Sequence, residues 1–141
     1  MEASCPDCRA HFQYQLIHNG FNDSSYAYCG KCGATALCSH RKWPEGLPPS
    51  DYGPLLPEQV ECLRPCSCGG YFHTHAMPRC PACGNALDPL QATSWIEAVA
   101  PGTASGLRWQ ASWLGLYALA VESKVLNDPW ARDSGESAPA D

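Results

Sequence analysis

At 141 residues, with 13 prolines and 12 glycines cutting its apolar material into short runs, the chain is one modest domain or a string of very small ones, and burial alone cannot hold it. A formal net charge of −5 argues against tight nonspecific binding to phosphate backbones. No apolar stretch of about 18 residues is long enough to cross a membrane. "MEASCPDCRAHFQYQ" shows neither the basic n-region nor the apolar h-region of a secretory signal. A cytoplasmic setting is therefore expected, with the ten cysteines reduced, and reduced thiols in close pairs point to metal.

From the N-terminus, Cys5 and Cys8 form a first CxxC, and "HFQYQLIHNGFNDSSYAY" follows. Phe12, Tyr14 and Leu16 alternate with polar residues, Asn19-Gly20 supplies a turn dipeptide, and Tyr26 and Tyr28 alternate on the return, which predicts a β-hairpin. A second CxxC, Cys29 and Cys32, closes it, and "GATALC" can add a third strand. The segment "RKWPEGLPPSDYGPLLPEQVECLRP" holds six prolines and reads as an extended connector. A helical turn is expected in it over Pro57 to Leu63, while Trp43, Tyr52 and Leu55-Leu56 strap it down.

Cys66 and Cys68 make a tighter CxC, "GGYFHTHAMPR" a short strand with a bend near Met77-Pro78, and Cys80 and Cys83 a third CxxC. The order pair, gap, pair thus occurs twice, with gaps of twenty residues between Cys8 and Cys29 and eleven between Cys68 and Cys80. Each CxxC turns the chain so that both sulfurs face one ion, and two such knuckles complete a tetrahedron with Zn–S bonds of roughly 2.3 Å. The expected ligands are Cys5, Cys8, Cys29 and Cys32 in one site, and Cys66, Cys68, Cys80 and Cys83 in the other.

Two zinc ions per chain are therefore expected. Four thiolates leave no open position for water, so the sites are structural rather than hydrolytic, and metal binding is folding energy. Cys38 and Cys62 are spare thiols read as small buried apolar residues, with Cys62 the alternative ligand in place of Cys66. His73 and His75 share one strand face and, like His11, His18 and His40, are read as bystanders, although a histidine is a further alternative to Cys66.

The knuckles "CPDC", "CGKCG" and "CPACG" resemble those of the zinc-ribbon and rubredoxin-like proteins, over about residues 3 to 40 and 62 to 88. Two departures stand out: Arg9 occupies a position where such knuckles usually have glycine, and CxC replaces CxxC at Cys66 and Cys68. The resemblance identifies a module rather than an activity, because such knuckles serve proteins of very different function. It also implies that iron can occupy the same ligands and carry single electrons.

Past Cys83 the chain has no cysteine but holds four of its five tryptophans. Asp88, Pro89 and Gln91 form a capping-box arrangement before a helical stripe of Ala92, Trp95, Ile96 and Val99, stopped at Pro101-Gly102. "SWLGLYALAVESKVLNDPW" reads as a strand pair turning at Glu122 to Lys124, with a first arm apolar on both faces and hence buried.

The expected fold class is small, metal-stabilised and mainly β, with two zinc ribbons and a C-terminal helix and β-hairpin packed on them. Its divisions are 1–40 for the first ribbon, 41–61 for the connector, 62–88 for the second ribbon, 89–130 for the helix and Trp-rich hairpin, and 131–141 for a disordered acidic tail. Two zinc tetrathiolates, each adding −2, would take the net charge to about −9.

No nucleophile elbow, phosphate loop, HExxH or paired-carboxylate cluster supports an enzyme. The expected function is non-enzymatic: zinc sites scaffolding a protein-interaction surface in an adaptor, or in an inhibitor of immunity type directed at a basic partner. Trp109, Trp113 and Trp130 are the partner-binding candidates. A nucleic-acid-binding ribbon, using Lys31, Arg41 and Lys42, is the alternative.

Overall fold

The structure, a computed structural model, describes residues 2–49, 53–87 and 117–131. The protein is mainly β, with two sheets and only short helical turns among the described residues. The first sheet has the order β1 (Glu2–Ser4), β2 (His11–His18), β7 (Tyr117–Val121), all antiparallel. The second is built on β3 (Ser24–Cys29), antiparallel to β4 (Thr35–Ser39), which in turn pairs in parallel with β8 (Val125–Asn127). The free edge of β3 is shared by two short strands, β5 (Gly53–Pro54) in parallel and β6 (Phe72–His73) antiparallel.

The alternation in β2 holds as the sequence predicts, with Phe12 and Tyr14 buried and Gln13 and Gln15 exposed between them. β3 is buried along its whole length because the core covers both of its faces. Tyr26 and Tyr28 pack with Ile17, Ala118 and Ala120 of the first sheet, whereas Ala27 and Cys29 pack with Leu55, Val60, Leu63, Phe72 and Trp130.

The two sheets are also joined by hydrogen bonds. The Leu119 amide donates to the Tyr28 hydroxyl at 2.9 Å, and that hydroxyl donates to the Leu119 carbonyl at 3.1 Å. The outward-facing groups of Leu119 are thereby satisfied across the sheets.

Neither of the expected gap hairpins forms. β2 and β3 lie in different sheets, and the Asn19-Gly20 segment winds into a helical turn, α1 (Asn19–Asn22). His18 Nδ1 accepts from the Phe21 amide at 3.0 Å, and Asp23, at φ 48°, closes the turn with its N–H on the Asn19 and Gly20 carbonyls. The tight turn at Glu122–Ser123 is present, with φ 54° and 59°, but its arms part, β7 to the first sheet and β8 to the second. Strands do flank the knuckles: β1 and β2 enclose Cys5–Cys8, and β3 and β4 enclose Cys29–Cys32.

The segment read as a connector is part of the fold rather than a spacer between two ribbons. It supplies β5, the helical turn α2 (Pro57–Val60) and the buried Leu55, with Gln59 Nε2 donating to the Pro48 carbonyl at 3.2 Å. The third strand after Cys32 exists as β4, but "GNAL" makes only a single bridge, Arg79 with Ala86. The helix expected after Asp88 and the tail from 132 onward lie outside the described residues, as do Tyr52, Trp109 and Trp113.

Candidate metal centres

Three knuckles share one backbone scheme. In each, the amide four residues after the first cysteine returns to that cysteine's carbonyl: Arg9 to Cys5 at 2.9 Å, Gly33 to Cys29 at 3.0 Å, and Gly84 to Cys80 at 2.9 Å. The first cysteine's own amide donates five residues ahead, to Ala10, Ala34 and Asn85, each at 2.9 Å. The residue making the return has left-handed backbone, φ 68° at Arg9, 79° at Gly33 and 78° at Gly84, so Arg9 adopts the conformation that glycine takes at the other two. The CxC is the same device shortened by one residue, with Gly69 (φ 95°) returning to the Cys66 carbonyl and the Cys66 amide donating to Gly70.

Within these turns amides point at sulfur. Those of Asp7, Lys31, Gly70 and Ala82 lie 3.3 to 3.4 Å from the sulfurs of Cys5, Cys29, Cys68 and Cys80, as expected around thiolates that hold a metal. Gly70 has to be bare, because a Cβ there would meet Cys29 Sγ at 2.9 Å.

The knuckles gather into two groups of four sulfurs, but their partners are exchanged relative to the sequence-based expectation. Cys5 and Cys8 join Cys80 and Cys83 in an outer group, and Cys29 and Cys32 join Cys66 and Cys68 in an inner one, so the second site nests inside the first along the chain. All eight cysteines expected as ligands lie in these groups. The cause of the exchange is strand pairing: β6 runs antiparallel to the end of β3, setting Phe72 opposite Cys29, and the Gly30 amide donates to the Tyr71 carbonyl at 2.9 Å. That contact delivers the CxC to the second knuckle and leaves the first and last knuckles to each other.

The geometry suits a tetrahedral thiophilic ion. Opposite edges of the outer group measure 3.7 Å (Cys5 to Cys83) and 3.6 Å (Cys8 to Cys80), and those of the inner group are both 3.6 Å (Cys29 to Cys68, Cys32 to Cys66). A zinc–sulfur tetrahedron with bonds of about 2.3 Å has edges of about 3.8 Å. A disulfide would need about 2.05 Å, and all ten cysteines are free thiols. The first cysteine of every knuckle is buried and the second is more exposed, so each group is anchored in the core and closed from the solvent side.

The thiols are electrostatically uneven. The Gly70 amide holds Cys68 down to about 7, whereas burial pushes Cys32 up to about 12. At Cys80 burial is outweighed by the amides of Cys83 and Ala82, and its thiol falls to about 7. Thiolates packed this closely repel one another, and a divalent cation is the charge that lets all four ionise.

Other expected site residues fall elsewhere. Cys62 is outside both groups, its thiol 3.6 Å from the Glu58 carbonyl, so Cys66 rather than Cys62 completes the inner four. Cys38 is fully buried, as expected of a spare thiol. His73 and His75 are exposed and join neither group.

Trp130, expected at a partner surface, is instead 2% exposed and packs edge-on against Trp43 with ring centroids 4.9 Å apart, because the bridge from Leu63 to Trp130 draws it into the core beneath β3. The large aromatics that do reach solvent are Phe21, 87% exposed, and Tyr71, 63% exposed, among the described residues. Nothing in the sequence marked Phe21, whose exposure follows from the helical turn that replaces a hairpin.

Sheets and sites together define a small, mainly β protein organised on two four-cysteine groups able to hold metal. Residues 1–88 match the family model described as Domain of unknown function (DUF8255), and the chain belongs to that family. The matched region contains all eight cysteines of the two groups, while β7 and β8, which complete the two sheets, and the core residue Trp130 lie beyond it. No curated protein and no solved structure matches the chain. No helix among the described residues is long and apolar enough to cross a membrane.

Proposed function

We propose that this chain is a non-enzymatic zinc protein, akin to zinc-ribbon and rubredoxin-like knuckle proteins, whose two structural tetrathiolate sites hold a scaffold that engages another protein. The observation that carries the reading is the closed donor set: in each group four sulfurs span tetrahedral edges, which leaves no coordination position for water or substrate. Such sites stabilise a fold and do not activate a nucleophile. Zinc supplies this cross-link without redox chemistry, and the amide-to-sulfur hydrogen bonds hold the ligands as thiolates.

Two exposed aromatics are the candidate contact points, Phe21 in α1 before the start of β3 and Tyr71 beside its far end, where the Gly30 amide meets the Tyr71 carbonyl. The acidic balance favours a basic protein partner, in an adaptor or inhibitor role in the cytoplasm. Of the candidate basic residues, Arg41 faces Asp23 at 3.8 Å and Lys42 faces Asp128 at 4.0 Å, which leaves exposed Lys31 as weak support for nucleic-acid binding.

Metal analysis of protein purified without added metal tests the core of this reading, with two zinc ions per chain expected. One iron per chain with visible absorption would replace it by electron transfer, and metal-free folded protein would overturn it. For the partner, affinity capture from the native host should retain a protein that is lost with Phe21→Ala or Tyr71→Ala at unchanged zinc content. Equal retention by both variants would remove these two residues from the proposal.

A further inference from the structure

Arg79 lies between the two sulfur groups and touches the backbone of both. One guanidinium nitrogen donates to the Gly84 carbonyl at 2.8 Å, in the last knuckle, and the other donates to the Gly30 carbonyl at 3.1 Å, inside the second. The residue itself immediately precedes Cys80, a member of the outer group. Its backbone is wedged against Gly33, the residue that closes the inner knuckle: at φ 79° that glycine has no Cβ, and one placed there would collide with the nitrogen and Cβ of Arg79. Arg79 is half-buried, and its Nε has no hydrogen-bond partner among the described residues, so the two carbonyls are its polar anchorage.

We infer that the two metal sites load cooperatively and that Arg79 is the residue coupling them. Filling the inner site fixes Gly30 and Gly33, hence the two surfaces against which Arg79 rests, and so presets the backbone entering Cys80. Filling the outer site fixes Gly84 and returns the same constraint to the inner knuckle, as linkage requires. The guanidinium also places one positive charge between two groups that each carry −2 when zinc-bound.

Chain topology acts in the same direction. Seventy-one residues separate Cys8 from Cys80 in the open chain, but once the inner site has closed only the segments of twenty and eleven residues remain free. By loop entropy alone this favours the outer site about threefold. Contacts through Arg79 raise the coupling beyond that, to about tenfold or more, within the usual range for linked sites.

This inference rests on the metal-binding reading above, and native mass spectrometry at one zinc equivalent separates the two. With tenfold coupling between equal sites the singly loaded species is about a quarter of the population, against about half for independent sites. Wild-type protein should therefore show apo and doubly loaded species in excess. Arg79→Met, which keeps the stem over Gly33 and removes the fork, should still bind two ions while its singly loaded fraction rises above about a third. Arg79→Lys, retaining charge but not both donors, should behave like Arg79→Met.

Circular dichroism of the fully loaded variants checks that the fold is intact. A singly loaded species at half the population or more in wild type overturns the coupling, and a distribution unchanged by Arg79→Met overturns the role of Arg79; either leaves the zinc reading standing. Absence of any bound metal overturns both.

Discussion

Arg9 shows how a single residue can carry strain inside a recurrent turn. It adopts the left-handed backbone that Gly33 and Gly84 adopt at the same knuckle position, and a side chain there costs roughly 1–2 kcal/mol. Glycine would relieve that cost but give back about 0.4–1 kcal/mol through the freer unfolded chain. Arg9→Gly should therefore stabilise the metal-loaded protein by about 0.5–1 kcal/mol, read as a rise in the thermal midpoint. A lowered midpoint would mean that the Arg9 side chain makes a compensating contact.

Tyr28 is the opposite case, a residue whose polar atom holds two sheets together. Burial raises its hydroxyl pKa, the charge of nearby Tyr26 raises it further, and it stays neutral and able to donate at all ordinary pH. Tyr28→Phe would strand the Leu119 amide and carbonyl in the core, a loss of about 1–3 kcal/mol. Chemical denaturation of the zinc-loaded protein measures it, and an unchanged midpoint would show that water replaces the hydroxyl.

At the scale of elements, the knuckles are themselves the hairpin tips. The chain was expected to turn in the gaps, at Asn19-Gly20 and near Met77-Pro78, because turn dipeptides and alternation are the visible signals. A CxxC with its return hydrogen bond reverses the chain equally well, and it does so between β1 and β2 and between β3 and β4. The Asn-Gly signal lost to a local competitor, the His18 imidazole capping a helical turn. The shortened CxC still delivers both sulfurs because Gly69 and Gly70 allow a turn one residue tighter. Accordingly Cys66→Ser should cost one zinc equivalent per chain, whereas Cys62→Ser should keep two. The reverse result would restore Cys62 as the ligand.

For the whole molecule, nesting makes the two sites and the two sheets one object. The outer group ties the β1–β2 end to Cys80 and Cys83, and the inner group ties β3 and β4 to the start of β6, while β7 and β8 cross from one sheet to the other. Stripping metal should therefore unfold both sheets together rather than one ribbon at a time. Amide hydrogen exchange in β2 and β3 during chelation reads this directly. Loss of protection in only one of them would return the molecule to two independent ribbons. Lowering the pH acts the same way: protons compete with the metal for the thiolates, so metal content should fall as the pH drops below about 7.

The eight clustered cysteines, the turn chemistry of each knuckle and the mainly β class were legible because they depend on contacts within a few residues: a CxxC, a return hydrogen bond, an alternating strand. Which knuckle meets which was not, nor were the burial of Trp130 and the exposure of Phe21. Those follow from pairings across tens of residues, such as β6 on β3, Leu63 with Trp130, and β7 on β2. The entropy of closing a loop grows only with the logarithm of its length, so sequential and nested arrangements of the same four knuckles differ by about a kcal/mol before packing is counted. Spacing cannot separate alternatives that close. Packing on both faces of β3 separates them: the nested arrangement buries that strand on both sides and sets β6 on its edge.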